Sequence, residues 1–312
     1  MQTEKILGGD MKAAAQLIRG IEDGVPGKMR ELKNLFPHTG RAHVIGLTGA
    51  PGTGKSTLID SMVHDLRKKG RSVGILAIDP TSPLSDGAIL GDRVRMQRHA
   101  EDKSVFIKSI ATRGHLGGLS RSAFGIVTVL DAMGKDVIFV ETVGVGQDEV
   151  DVMRLAHTTI VVITAEMGDG IQAIKSGILE IADIFALNKA DQMSSDITLN
   201  KIKMMLNMRQ LRKEVWIPPV VQTSATRGQG IHELLCQTQN HLVYFKSQGL
   251  DNYRNQKTLT ELTTHFKKIL VERALSTLEL KKEWQTIMER INRGEIDPYS
   301  AAEELVSVML KK

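Results

Sequence analysis

The stretch Gly49-Ala50-Pro51-Gly52-Thr53-Gly54-Lys55-Ser56 matches the phosphate-loop pattern G-x-x-x-x-G-K-S at every defined position. An apolar run, His43 to Leu47, precedes it and a segment of helical character carrying Thr57 follows. Its glycines let backbone N–H groups approach phosphate oxygens, Lys55 brings a compact positive charge, and the Ser56 hydroxyl suits Mg²⁺. A plain Gly-rich turn is the other reading. The strand, loop and helix context favours a nucleoside triphosphate site.

Downstream, Asn188-Lys189-Ala190-Asp191 follows the apolar run Ile184 to Leu187. The Asp191 carboxylate can accept from guanine N1–H and from its exocyclic amine, a donor pair that adenine lacks. Asn188 and Lys189 would support the loop around the base. By itself the tetrapeptide is an ordinary polar turn, but after a phosphate loop it points to GTP. Ser224-Ala225, just beyond Pro219-Val220-Val221, could bring a backbone N–H near the guanine carbonyl.

The 312 residues allow one substantial core plus an accessory region, with 41% hydrophobic residues and a formal net charge of +5. No apolar stretch approaches a membrane span. No basic tract or aromatic pattern suggests a nucleic-acid surface, so neither a membrane nor a nucleic-acid partner is expected. Cys236 is the one cysteine and excludes an internal disulfide framework. Its place in Leu234-Leu235-Cys236 suggests a buried structural thiol. With no secretory leader evident, the expected compartment is cytoplasmic.

Three parts are expected. Residues 1–41 read as an N-terminal helical extension broken near Gly24 and Pro26. Residues 42–248 carry the strands His43 to Leu47, Ser72 to Ile78, Asp136 to Val140, Thr159 to Thr164 and Ile184 to Leu187, alternating with helical segments. That pattern predicts an α/β fold with a mostly parallel central sheet. Residues 249–312 read as a helical arm, with Leu259, Leu262, Phe266, Ile269 and Leu270 at helical spacing and a last helix capped by Asp297 and opened by Pro298. Core packing or a subunit contact explains this apolar stripe more simply than a cofactor site does.

Four further segments carry a specific resemblance: Ala77-Ile78-Asp79-Pro80-Thr81-Ser82-Pro83, Leu90-Gly91-Asp92-Arg93-Val94-Arg95-Met96, Gly114-His115-Leu116-Gly117-Gly118 and Val140-Glu141-Thr142-Val143-Gly144-Val145-Gly146-Gln147. Along its whole length the chain resembles the MeaB/ArgK family of G-protein chaperones associated with methylmalonyl-CoA mutase. The resemblance implies a P-loop GTPase domain between helical extensions. It also implies a homodimer formed through the arm, and an adenosylcobalamin-dependent methylmalonyl-CoA mutase or related acyl-CoA mutase as client. GTP binding and hydrolysis would then gate cofactor loading, protection or reactivation of that client.

The resemblance places Asp79, Asp92 and Glu141 near Mg²⁺ beside Ser56, a role that acids at strand ends can serve. Glu141-Thr142-Val143-Gly144 stands where many GTPases have Asp-x-x-Gly, so the Gly144 N–H could sense the γ-phosphate. Gln147 is open between positioning the attacking water and a polar switch contact. Lys55, Glu141, Gly144 and Gln147 form the expected catalytic group. Arg93, Arg95, Arg113, His115, Asp169 and Lys175 are candidate switch or partner residues, with a charged solvent face as the plainer reading of the arginines and of Lys175. His99 and the remaining scattered histidines suggest ordinary polar or packed roles. No Asp-x-His-x-x-Gly pattern occurs, so no direct cobalamin site is expected and any corrinoid link runs through a partner. The alternatives are a nickel-enzyme metallochaperone GTPase, disfavoured by the lack of a His-rich tract, and a nucleotide-responsive structural adaptor with little turnover. A transport-linked kinase is less attractive, since no transmembrane span is visible.

Overall fold

The computed structural model describes residues 2–25, 27–79, 97–99, 101–111, 118–142, 155–165, 181–192, 195–208, 216–247, 262–263, 266–267, 269–271, 273 and 278–310. The chain divides into two compact units, residues 1–248 and 249–312.

In the first unit, three helices, α1 (Gln2–Leu7), α2 (Met11–Glu22) and α3 (Lys28–Leu35), precede strand β1 (His43–Thr48). There follow α4 (Lys55–Lys68), β2 (Val73–Asp79), β3 (Val105–Ala111), α5 (Gly118–Ala132), β4 (Val137–Thr142) and β5 (Thr158–Thr164). The described residues of this unit also include β6 (Ile184–Asn188), α6 (Ser195–Met208), β7 (Val220–Gln222) and α7 (Ile231–Ser247). The strands form one sheet in the order β3-β2-β4-β1-β5-β6-β7, and every pairing is parallel. Parallel strands need both faces covered, which explains why β1, β4, β5 and β6 are near-continuous apolar runs buried at every residue.

The five expected strands are present, each within a residue or two of its predicted ends. Two more flank them. The edge strand β3 escapes an apolar-run reading because Lys108 and Ser109 interrupt it, and Lys108 pairs with Glu22 of α2. The other, β7, is only three residues long.

One face of the sheet packs Leu76, Ile78, Phe106, Ile138 and Val140 against the N-terminal helices and α5. Leu17 and Ile18 of α2 are almost wholly buried there, and each such side chain contributes roughly 1.5–3 kcal/mol. Asp10 starts α2 by accepting from the N–H groups of Lys12 and Ala13 at 2.8 and 3.0 Å. Buried Asp131 of α5 accepts from the N–H groups of Gly40, Arg41 and Ala42, which anchors the entry into β1. The opposite face packs Ile45, Leu47, Ile75 and Phe139 against Leu58, Ile59 and Met62 of α4 and Leu234 and Leu235 of α7.

Cys236 departs from expectation, for it is exposed. Two residues along a helix rotate a side chain by about 200°, so the burial of Leu234 turns Cys236 outward.

At the N-terminal edge of the sheet, His43 Nε2 and His241 Nδ1 each lie 2.9 Å from Thr158 Oγ1, and His241 Nε2 lies 3.3 Å from Asp183 Oδ1. Burial pulls His43 down to about 3, helped by the charges of His241 and Lys246. It also lowers His241 to about 4 and raises Asp183 to about 7. Each shift favours the neutral form, as expected where desolvation dominates.

In the second unit, α8 (Leu278–Asn292) and α9 (Pro298–Leu310) bury Ile287 and Ala301. Asp297 caps α9 through the N–H groups of Tyr299 and Ser300, with Pro298 opening the helix. Leu262, Phe266, Ile269, Leu270 and Trp284 are exposed. Among the described residues, no helix is long and apolar enough to cross a membrane.

Candidate nucleotide site

β1 lies between strands reached by the chain on opposite flanks, β2 and β3 on one side and β5 to β7 on the other. The crevice beyond the C-terminal end of such a strand is the usual ligand position in an open parallel sheet. Here it is bounded by the loop from β1 to α4, the end of β4, and the loops after β6 and β7.

The β1–α4 loop depends on its glycines. Gly49 has φ 146°, and a Cβ there would lie 2.2 Å from the Val162 carbonyl oxygen on β5. Gly54 has φ 86°, and its Cβ would lie 2.6 Å from Asn188 Nδ2. Thr53 closes the turn, its hydroxyl donating to the Ala50 carbonyl at 2.9 Å. Lys55 is buried at the start of α4, and its Nζ donates to the carbonyls of Gly49 and Ala50 at 2.7 and 3.0 Å. The loop thus wraps around the ammonium group, while the first turn of α4 presents the N–H end of a helix to the same crevice. Pro51 and Gly52 form the exposed tip, and Thr57 is half-buried one residue beyond Ser56.

Ser56 and Glu141 meet directly, the Ser56 hydroxyl donating to Glu141 Oε1 at 2.7 Å, with both residues buried. Glu141 is one residue from the end of β4. Asp79 ends the neighbouring β2, one position beyond the Ile78–Thr142 register pair. A hydroxyl and a carboxylate this close form an oxygen pair suited to a small hard cation such as Mg²⁺.

The Asn188–Asp191 loop is assembled around Asn188, which is 2% exposed. Its Nδ2 donates to the Thr53 carbonyl at 2.9 Å. Its Oδ1 accepts from the Thr223 hydroxyl and from the Ala225 N–H, each at 3.2 Å. One amide therefore ties together the phosphate loop, β6 and the loop after β7. Lys189 takes a left-handed backbone with φ 57°, turning the chain so that Asp191 reaches the surface. Ser224 holds the Asp191 carboxyl below its ordinary range, with a smaller contribution from Arg227. Arg227 Nη2 lies 3.2 Å from Asp191 Oδ2.

The structure therefore brings together Gly49 to Thr57, Glu141, Asn188, Lys189, Asp191, Ser224 and Ala225. The candidates Asp92, Arg93, Arg95, Arg113, His115, Gly144, Gln147, Asp169 and Lys175 lie outside the described residues. Sequence reading missed Thr223, Arg227 and Ser61, whose hydroxyl donates to the Ala225 carbonyl at 2.8 Å. No spacing signal marks Ser61, whereas Thr223 and Arg227 flank Ser224 closely enough to have been considered. His99, read as an ordinary packed histidine, is buried with its Nε2 3.0 Å from Asp60 Oδ1 on α4.

A protein of Pyrococcus abyssi is 42% identical over 310 residues, covering 98% of this chain and 95% of its own length. The GTPase ArgK of Escherichia coli is 37% identical over 206 residues, covering 65% of this chain and 62% of that protein. A solved LAO/AO transport system kinase superposes with a TM-score of 0.73 at 24% identity, covering 99% of this chain and 96% of that one, which shows a shared fold. The profile of the methylmalonyl-CoA mutase-associated GTPase MeaB matches residues 15–279 and so spans the phosphate loop, the Glu141 strand and the Asn188–Asp191 loop. With that match over most of its length, the chain belongs to the MeaB family of methylmalonyl-CoA mutase-associated GTPases.

Proposed function

We propose that this protein uses GTP binding and hydrolysis to gate cobalamin cofactor loading, protection or reactivation of an adenosylcobalamin-dependent methylmalonyl-CoA mutase or a related acyl-CoA mutase. The protein is a Mg²⁺-using GTPase with a chaperone role linked to mutase function, as its family membership supports. The structural observation that supports the GTP assignment is the Asn188 amide, whose Nδ2 donates to the Thr53 carbonyl at 2.9 Å and so ties the Asn188–Asp191 loop to the phosphate loop.

In this reading the backbone N–H groups of residues 52–56 surround the phosphates, and Lys55 offsets the negative charge on the γ-phosphoryl group as it transfers to water. Ser56, Glu141 and Asp79 would hold Mg²⁺, which supplies further charge neutralisation at the phosphates when bound. Asp191 reads the guanine edge, and Ala225, whose N–H donates to Asn188 Oδ1 at 3.2 Å, lines the base end of the site. Gly144 and Gln147 are assigned to γ-phosphate sensing and water positioning by resemblance alone. Phosphate release then changes the partner-facing surface.

A homodimer formed through residues 249–312 accords with the exposed apolar residues Leu262, Phe266, Ile269 and Trp284 of that unit. Cytoplasmic residence accords with an exposed, unbridged thiol at Cys236.

The test is phosphate release from GTP with Mg²⁺, with and without an adenosylcobalamin-dependent acyl-CoA mutase from the same genome. Stimulated turnover is expected. Turnover indifferent to such mutases removes the client assignment and leaves the GTPase, whereas GTP binding without turnover beside the client favours a structural adaptor.

A further inference from the structure

Arg227 ends the 3₁₀ turn Ala225–Arg227 and is the cation paired with the base-reading carboxylate. The turn beneath it is held at several points. Ser61 Oγ donates to the Ala225 carbonyl at 2.8 Å, the Ala225 N–H donates to Asn188 Oδ1 at 3.2 Å, and the Arg227 N–H donates to the Ser224 carbonyl at 3.1 Å. Gly228, with φ 68°, then reverses the chain into the Ser224–Gln229 bridge. The guanidinium therefore projects from a platform tied to both α4 and the Asn188 loop.

Guanine presents two parallel donors, N1–H and the 2-amino group, and needs both carboxylate oxygens in its plane to bind them together. Asp191 stands on an exposed loop, and the terminal torsion of an aspartate is intrinsically broad, so its orientation depends on its neighbours, Ser224 and Arg227. An ionised carboxylate has about four acceptor positions. Two suffice for the base, which leaves acceptor positions for the planar guanidinium, 3.2 Å from Oδ2. A cation in that position limits rotation of the carboxylate.

We propose that Arg227 is a specificity-determining positioning residue, holding the Asp191 carboxylate in the orientation that accepts both guanine donors. The inference rests on the assignment of Asp191 to the guanine edge. On this proposal Arg227 acts on the base through Asp191, so its contribution falls on the second hydrogen bond, the one that separates guanine from hypoxanthine.

The experiment measures affinities of the full chain for GDP and for IDP, which lacks the 2-amino group, in wild type, Arg227→Ala, Arg227→Lys, Asp191→Asn and the double variant. Arg227→Ala is expected to weaken GDP binding by about fivefold, the upper range for a partly exposed ion pair, and IDP binding less, so that the GDP:IDP ratio falls. Arg227→Lys should recover part of the ratio, and in the Asp191→Asn background Arg227→Ala should change GDP binding no further. If Asp191→Asn lowers the ratio while Arg227→Ala leaves it at the wild-type value, the positioning role is overturned and the guanine assignment stands. If Asp191→Asn leaves the ratio unchanged, the assignment itself fails and the positioning role fails with it.

Discussion

Asn188 Nδ2 donates to the Thr53 carbonyl at 2.9 Å, so the loop expected to read the base and the loop expected to hold the phosphates share one buried side chain. Asn188→Ala would leave the Thr53 carbonyl and the Ala225 N–H without that partner. A loss of about 1–3 kcal/mol in stability is expected, accompanied by weaker GDP binding. Chemical denaturation and nucleotide titration check both. Unchanged affinity would show that the two loops are independent.

The phosphate-loop glycines make a graded prediction. A Cβ at Gly49 would lie 2.2 Å from a β5 carbonyl oxygen, whereas one at Gly52 would meet nothing within 4 Å but would still sit at φ 80°. Gly52→Ala should cost about 1–2 kcal/mol of backbone strain. Gly49→Ala should cost clearly more and abolish nucleotide binding, since the sheet itself must shift. Equal melting temperatures for the two variants would remove the close approach from the account.

Ser56 and Glu141, 2.7 Å apart, are expected to act together toward Mg²⁺. Ser56→Ala and Glu141→Gln should each diminish the gain in GDP affinity on adding Mg²⁺, while affinity in excess chelator stays near wild type. The readout is GDP titration with and without the cation. A full Mg²⁺ gain in both variants would take these residues out of the metal neighbourhood.

Acid should weaken the fold through His43. Its pKa is lowered from 6.5 to about 3 in the folded protein, so between these values the unfolded chain binds the proton and the folded chain resists it. The stabilising contribution is therefore complete above 6.5 and is lost progressively as pH falls toward about 3, by up to about 1.4 kcal/mol per pH unit. His43→Gln, which can still bond Thr158, should flatten the dependence of unfolding free energy on pH across this window. An unaltered slope would contradict the assignment.

The sites legible in the sequence were those where backbone chemistry leaves few substitutes. Gly49 and Gly54 are required by close approaches to Val162 and Asn188, and that requirement shows directly as a glycine pattern. The inner strands were legible because burial on both faces produces continuous apolar runs. The edge strand β3 was not, since Lys108 there serves an ion pair with Glu22. Ser61 also gave no signal, because its role arises only when the loop after β7 folds against α4. Cys236 was misread from its immediate neighbours, when helical rotation decides which of Leu234, Leu235 and Cys236 faces inward.

The most direct test of the central claim, a guanine-specific GTPase site joining the phosphate loop to Asp191, is Mg²⁺-dependent phosphate release from GTP, ATP and XTP by wild type and Asp191→Asn. Wild type should hydrolyse GTP in strong preference to ATP. Because xanthine carries a carbonyl where guanine carries the amine, Asp191→Asn should lose GTP turnover and gain XTP turnover. Equal use of ATP and GTP by wild type, or a GTP preference untouched in Asp191→Asn, would contradict the account.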